Sequence, residues 1–130
     1  MRGLAAACLL ALAACSSRPT DKEFQFTPEE RQLLRPLPPS TPEKVREMVA
    51  HGDELFTQAT PAFRRADPEA GSGWETQNAM AIDLYTRARE SYEAAQAEYG
   101  KVSSPPIQDR FRECLSRLVT LGRWKRAAQK

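Results

Sequence analysis

The 130-residue sequence has one histidine, His51, and three cysteines, Cys8, Cys15 and Cys114. That supply is too small for a His/Cys zinc site, and no CxxC pair occurs. The one glycine cluster, Ala70-Gly71-Ser72-Gly73, has neither a following lysine nor a preceding strand. A phosphate-binding loop is therefore excluded. A basic excess is also missing: 19 Lys and Arg stand against 17 Asp and Glu. Nucleic-acid binders usually carry such an excess, so no nucleic-acid partner is expected. No stretch alternates apolar and polar residues as a half-buried strand would. No apolar run approaches the ~20 residues that a membrane-crossing helix needs.

The longest apolar run is Leu4 to Ala14, LAAACLLALAA, eleven residues without a charge. Arg2 precedes it, and the polar stretch Ser16-Ser17-Arg18-Pro19-Thr20 follows Cys15. This order is that of a secretory signal: a basic start, a short apolar stretch and small residues before the cut. An amphipathic buried helix is the rival reading, but no polar face recurs along the run. Leu12-Ala13-Ala14-Cys15 resembles the lipobox of bacterial lipoproteins. Cys8 is a poor rival, because too little apolar sequence precedes it. The resemblance implies that residues 1–14 are a signal peptide and that Cys15 becomes the lipid-modified N-terminus. Two acyl chains hold a protein on a bilayer without any spanning helix. The resemblance further implies a cell-envelope location facing the periplasm, with Ser16 favouring the outer over the inner membrane.

Processing would remove Arg2 and Cys8, leaving 18 basic and 17 acidic residues and Cys114 as the only thiol. Residues 15–40 read as a lipid-anchored, proline-rich tether. Within it, Thr27-Pro28-Glu29-Glu30 is a capping box with proline at the first helical position. A two-turn helix is expected there, ending before Pro36.

Residues 41–130 read as a helical bundle domain. Ser40 to Glu43 is a second capping-box pattern. After it, Val45, Met48, Val49, Gly52, Leu55, Phe56, Ala59, Phe63 and Ala66 recur at helical spacing. Pro61 falls inside this pattern, where it either kinks the helix or restarts it with Thr60 as cap. Asp67 to Gly73 is a loop by composition. A second helix is expected over Trp74–Tyr99, with Ala81, Leu84, Tyr85, Ala88, Tyr92, Ala95 and Tyr99 on its apolar face and Gly100 as C-cap. A third starts near Ile107 and uses Phe111, Cys114, Leu115, Leu118, Leu121 and Gly122. The fold class expected is all-α, an antiparallel three-helix bundle behind a flexible tether. The second helix is acidic and the third basic, which favours their pairing. The stretch from Ala81 to Tyr99 resembles the second helix of tetratricopeptide-like and microtubule-interacting-and-transport-like hairpins, through Leu84, Tyr85, Ala88, Tyr92 and Ala95. Those families imply a peptide- or protein-binding scaffold and transfer no site residue.

Few residues invite chemistry. His51 has no nucleophile tied to it by any motif. Cys114 lies on the apolar stripe of the third helix and reads as a buried structural thiol, although Arg110 and Arg117 nearby would suit a reactive one. Glu29 and Glu30 are accounted for by capping, and Glu90 and Glu93 by a solvated face. Arg123, Trp124, Lys125 and Arg126 form the candidate contact surface. A tryptophan among cations suits an anionic membrane or polymer, yet Trp124 would equally cover the bundle end while the cations complement the helix dipole. The sequence thus predicts a lipid-anchored, non-enzymatic helical interaction or accessory module without a cofactor, held to the membrane by Cys15 and binding a protein partner. The alternative is a structural envelope protein whose basic C-terminus contacts anionic lipid or cell-wall polymer.

Overall fold

The computed structural model describes residues 24–100 and 104–129. The proposed signal segment and Cys15 lie outside the described residues. Among the described residues four helices follow one another: α1 (Pro28–Leu33), α2 (Glu43–Arg64), α3 (Trp74–Tyr99) and α4 (Pro105–Ala128), with one 3-10 turn at Pro68–Ala70. Among the described residues there is no strand. The class is all-α, as the helical spacing predicts.

The chain divides after Arg31 into two compact units. In the first, the capping box forms as its residue types dictate. The Thr27 amide donates to Glu30 Oε1 at 2.9 Å, and the Glu30 amide donates to Thr27 Oγ1 at 3.1 Å. Two otherwise orphaned helix-start donors are thereby satisfied.

In the second unit α3 packs along both α2 and α4, and the two outer helices meet over a smaller seam. Short connections force neighbouring helices to run antiparallel. Glycines set both ends of α3: Gly73 and Gly100 each have φ of +87°, a left-handed conformation that favours residues without a Cβ. The Gly100 amide donates to the carbonyls of Gln96 and Ala97. The buried face of α3 is Asn78, Ala81, Tyr85, Ala88, Tyr92 and Ala95. Its alanines let the neighbouring helices approach. Leu84 and Tyr99 are only partly buried at the margin of the core.

One local expectation changes and one alternative falls away. The Ser40–Glu43 box does not cap α2: the Thr41 amide donates to the Pro38 carbonyl at 3.0 Å, so Ser40 lies within a turn. Pro42 is the N-cap residue instead and offers no side-chain bond. Pro61 does not restart α2, which continues through it to Arg64. Proline withholds one amide from the carbonyl four residues back, and so near the helix end the loss is a single bond. α4 begins near Ile107 as expected, at Pro105, because Pro105 and Pro106 occupy its first turn, where the missing amides would be unpaired anyway.

Leu33, Leu34 and Leu37, within the stretch read as tether, pack against the core of the second unit. Arg35 forms an ion pair with Asp109 of α4 at 3.0 Å. No described helix is long and apolar enough to cross a membrane.

Candidate functional site

The buried stripe of α4 is Ile107, Arg110, Cys114, Arg117 and Leu121. Two of its five positions are arginines, and each arginine organises a polar layer through the core. In the first layer the Arg110 side chain, 1% exposed, donates from Nε to Asp53 Oδ1 at 2.8 Å and from Nη2 to Asp53 Oδ2 at 3.2 Å. The Tyr92 hydroxyl donates to the same Asp53 Oδ1 at 2.6 Å. Arg110 also donates to the Pro106 carbonyl at 3.1 Å and to the Arg35 carbonyl at 2.7 Å. One carboxylate on α2 therefore joins α3 and α4, and the arginine also fixes the incoming strap at Arg35.

The second layer repeats the first one heptad away. Asp53, Tyr92 and Arg110 correspond to Thr60, Tyr85 and Arg117, each seven residues distant on its own helix. Arg117 Nη1 donates to the Tyr85 hydroxyl at 2.9 Å. Thr60 Oγ1 donates to the Phe56 carbonyl at 2.8 Å and lies 2.9 Å from the Tyr85 oxygen. Each hydroxyl has one proton, so Tyr85 donates to Thr60 in this chain. The Arg117 guanidinium sits 4.9 Å above the Phe56 ring centre and 4.8 Å above that of Phe63, within cation–π range. It also binds Glu113 on its own helix at 2.8 Å. The buried cations of α4 are thus committed to α2, to its own Glu113 and to a tyrosine hydroxyl.

Cys114 lies between the two layers and is fully buried. Burial pushes its thiol up to about 12 from an ordinary 9.0, and the Arg117 charge opposes that shift only in part. A reactive thiol needs access and a lowered pKa, so Cys114 is a structural residue. We expect it to resist a water-soluble maleimide in the native protein and to react at once after unfolding. Equal labelling in both states would contradict this packing. The sign of the accompanying pH effect follows. The folded state holds the proton more tightly, so the contribution is present below pH 9 and is lost as pH rises from 9 toward 12. Burial likewise drives the Tyr92 phenol far above its ordinary value, and the neighbouring Asp53 carboxylate adds to this.

The four residues of the candidate contact surface do not form one patch. Trp124 turns inward, stacking on Phe63 with ring centres 5.5 Å apart and planes 29° apart. Lys125 lines a surface cleft with Trp74, Glu75 and Asn78 at the end of the bundle. Arg123 and Arg126 are exposed on the outer side of α4. Consecutive residues on a helix point about 100° apart, so a run of four spreads over the whole circumference. Asn78 itself donates to the carbonyls of Ala66 and Leu121 at 3.3 and 3.1 Å, tying the loop after α2 to α4.

His51 is exposed on α2 beside Lys44, Glu47 and Met48, while Glu90 and Glu93 face solvent. The two arginine layers were not among the residues that the sequence reading singled out as a site. Their signal is the seven-residue spacing of Arg110 and Arg117 around Cys114, in register with Ile107 and Leu121. Compared with protein-family models, curated proteins and solved structures, the chain matches none.

Proposed function

We propose that the protein is a lipid-anchored envelope component that works as a non-enzymatic helical scaffold or accessory module. The observation that carries this reading is Leu12-Ala13-Ala14-Cys15 at the end of an eleven-residue apolar run, followed at once by polar sequence. The use made of the polar side chains supports the non-enzymatic half. Asp53, Tyr92, Arg110, Thr60, Tyr85 and Arg117 are bonded to one another inside the bundle, so their hydrogen-bonding capacity goes to holding helices together. The likeness of the Ala81–Tyr99 stretch to the second helix of peptide-binding hairpins supports a protein as the partner, although its alanine-and-tyrosine face is itself filled by α2 and α4.

The test is metabolic labelling with palmitate in a bacterial host. Wild-type protein should take up label and be shortened by removal of residues 1–14. Cys15→Ser should lose the label completely and accumulate at precursor size. Label at wild-type level in Cys15→Ser would overturn the anchor.

A further inference from the structure

The side of α4 opposite its buried stripe carries Arg112, Leu115, Ser116, Val119, Arg123 and Arg126, all exposed. Spacings of three and four residues bring them into one continuous strip. Leu115 and Val119 lie at its centre and remain 37% and 56% exposed, although both are aliphatic. No carboxylate interrupts the strip. The two acids of α4, Asp109 and Glu113, lie toward its flanks and are held by Arg35 and Arg117. Among the described residues no ion pair engages Arg112, Arg123 or Arg126. The strip is therefore a pair of aliphatic side chains flanked by three available guanidinium groups.

We propose that this strip docks on an anionic phospholipid surface, with the arginines on lipid phosphates and Leu115 and Val119 at the headgroup boundary. The inference rests on the lipid anchor at Cys15 for its geometry. From Cys15 to Gln32 there are seventeen residue steps, so the second unit begins at most about 60 Å from the anchored residue along the chain. A body so tethered meets the bilayer at high effective concentration. A modest electrostatic attraction then suffices to orient it. Charge complementarity selects the occupant: guanidinium groups pair with phosphate in bidentate fashion, and a basic helix face with aliphatic residues matches the interface between headgroups and acyl chains. Trp124, part of the contact surface that sequence alone offers, takes no part, because its ring stacks on Phe63 against the core.

The experiment uses the full chain as processed by a bacterial host, with Val119→Cys as the reporter. Vesicles are either phosphatidylcholine alone or an equal mixture with phosphatidylglycerol. Flotation on phosphatidylcholine reads the anchor, and reaction of the introduced thiol with a water-soluble maleimide reads the face. Cys114 is fully buried and so adds little background. At roughly fivefold per arginine, three arginines favour the docked state about a hundredfold, so labelling on mixed vesicles should slow by tenfold or more. Added salt should restore it, as should the combined Arg112→Gln, Arg123→Gln and Arg126→Gln changes. A thiol placed by Glu54→Cys on the exposed side of α2 should label alike on both vesicles. Flotation on phosphatidylcholine with equal labelling at position 119 on both vesicles would overturn the docking face and leave the anchor standing. Failure to float on phosphatidylcholine, with shielding on mixed vesicles, would remove the anchor and leave the face. Binding to wall sacculi or nucleic acid without shielding on mixed vesicles would also overturn it.

Discussion

Asp53→Ala is expected to destabilise the protein by about 3 kcal/mol, the lower end of what breaking a buried ion pair costs. The lower end applies because the Asp53 side chain retains 26% exposure, whereas Arg110 retains 1%. The change removes the acceptor of three hydrogen bonds at once and leaves a cation and a phenol without it in the core. Domains of this size are stable by about 5–15 kcal/mol, so the loss is a large fraction of the total. Urea denaturation followed by circular dichroism should show a lower midpoint with an unchanged slope. A companion variant separates the lost pair from the orphaned charge. Asp53→Leu, Tyr92→Phe and Arg110→Met together replace the layer with apolar groups of similar size, a kind of exchange that is often near neutral. That variant should recover most of the stability. It should still lose the bond to the Arg35 carbonyl, so hydrogen exchange at the Arg35 amide, which is bonded to the Gln32 carbonyl, should quicken relative to wild type. A wild-type midpoint for Asp53→Ala would show that the layer contributes nothing.

Much of this architecture is legible in the sequence, where the determinants are local. The Thr27–Glu30 box needs only side chains three residues apart to meet neighbouring amides. The limits of α3 at Trp74 and Tyr99 follow from glycines on both sides of a periodic run. The apolar faces of α2 and α3 follow from spacing alone. What the sequence hides depends on residues far apart in the chain. Arginine reads as a surface residue until an acceptor is known to lie opposite it, and Asp53 is 57 residues from Arg110. A Leu/Val/Phe reading of α4 therefore places Leu115 inside and the arginines outside, and the structure reverses both. The Arg123–Arg126 cluster misleads for the opposite reason. Its residues are adjacent in the chain, but the helix separates them, sending Trp124 to the Phe63 ring and Arg126 to solvent.

Gly52→Ala is expected to reverse the usual effect of such a change. In an exposed helix interior, alanine is favoured over glycine by about 1 kcal/mol. At position 52 the added Cβ would lie 2.5 Å from Tyr92 Cε1, 2.8 Å from Cδ1 and 3.0 Å from Cζ. The ring has no room to move away. Tyr92 is fully buried, and its hydroxyl is held at 2.6 Å by Asp53, the residue next to Gly52 on the same helix. Either α2 and α3 must separate or the hydroxyl bond must lengthen, and overpacking of this kind costs about 1–3 kcal/mol. At the short distances given the clash lies in the upper part of that range and exceeds the helix-propensity gain, for a net loss of up to about 2 kcal/mol, or up to roughly 10 °C in Tm. The decisive measurement is the same substitution in a Tyr92→Leu background. Removing the ring destabilises the protein on its own account, through a cavity and a carboxylate short of one donor. In that background the three ring atoms nearest the Cβ are gone, and Gly52→Ala should raise the melting temperature instead of lowering it. The difference between the two effects is the coupling energy of residues 52 and 92. Equal effects in both backgrounds would show that the ring does not require glycine, and a stabilising Gly52→Ala in the wild-type protein would show that α2 and α3 are not held at the separation described.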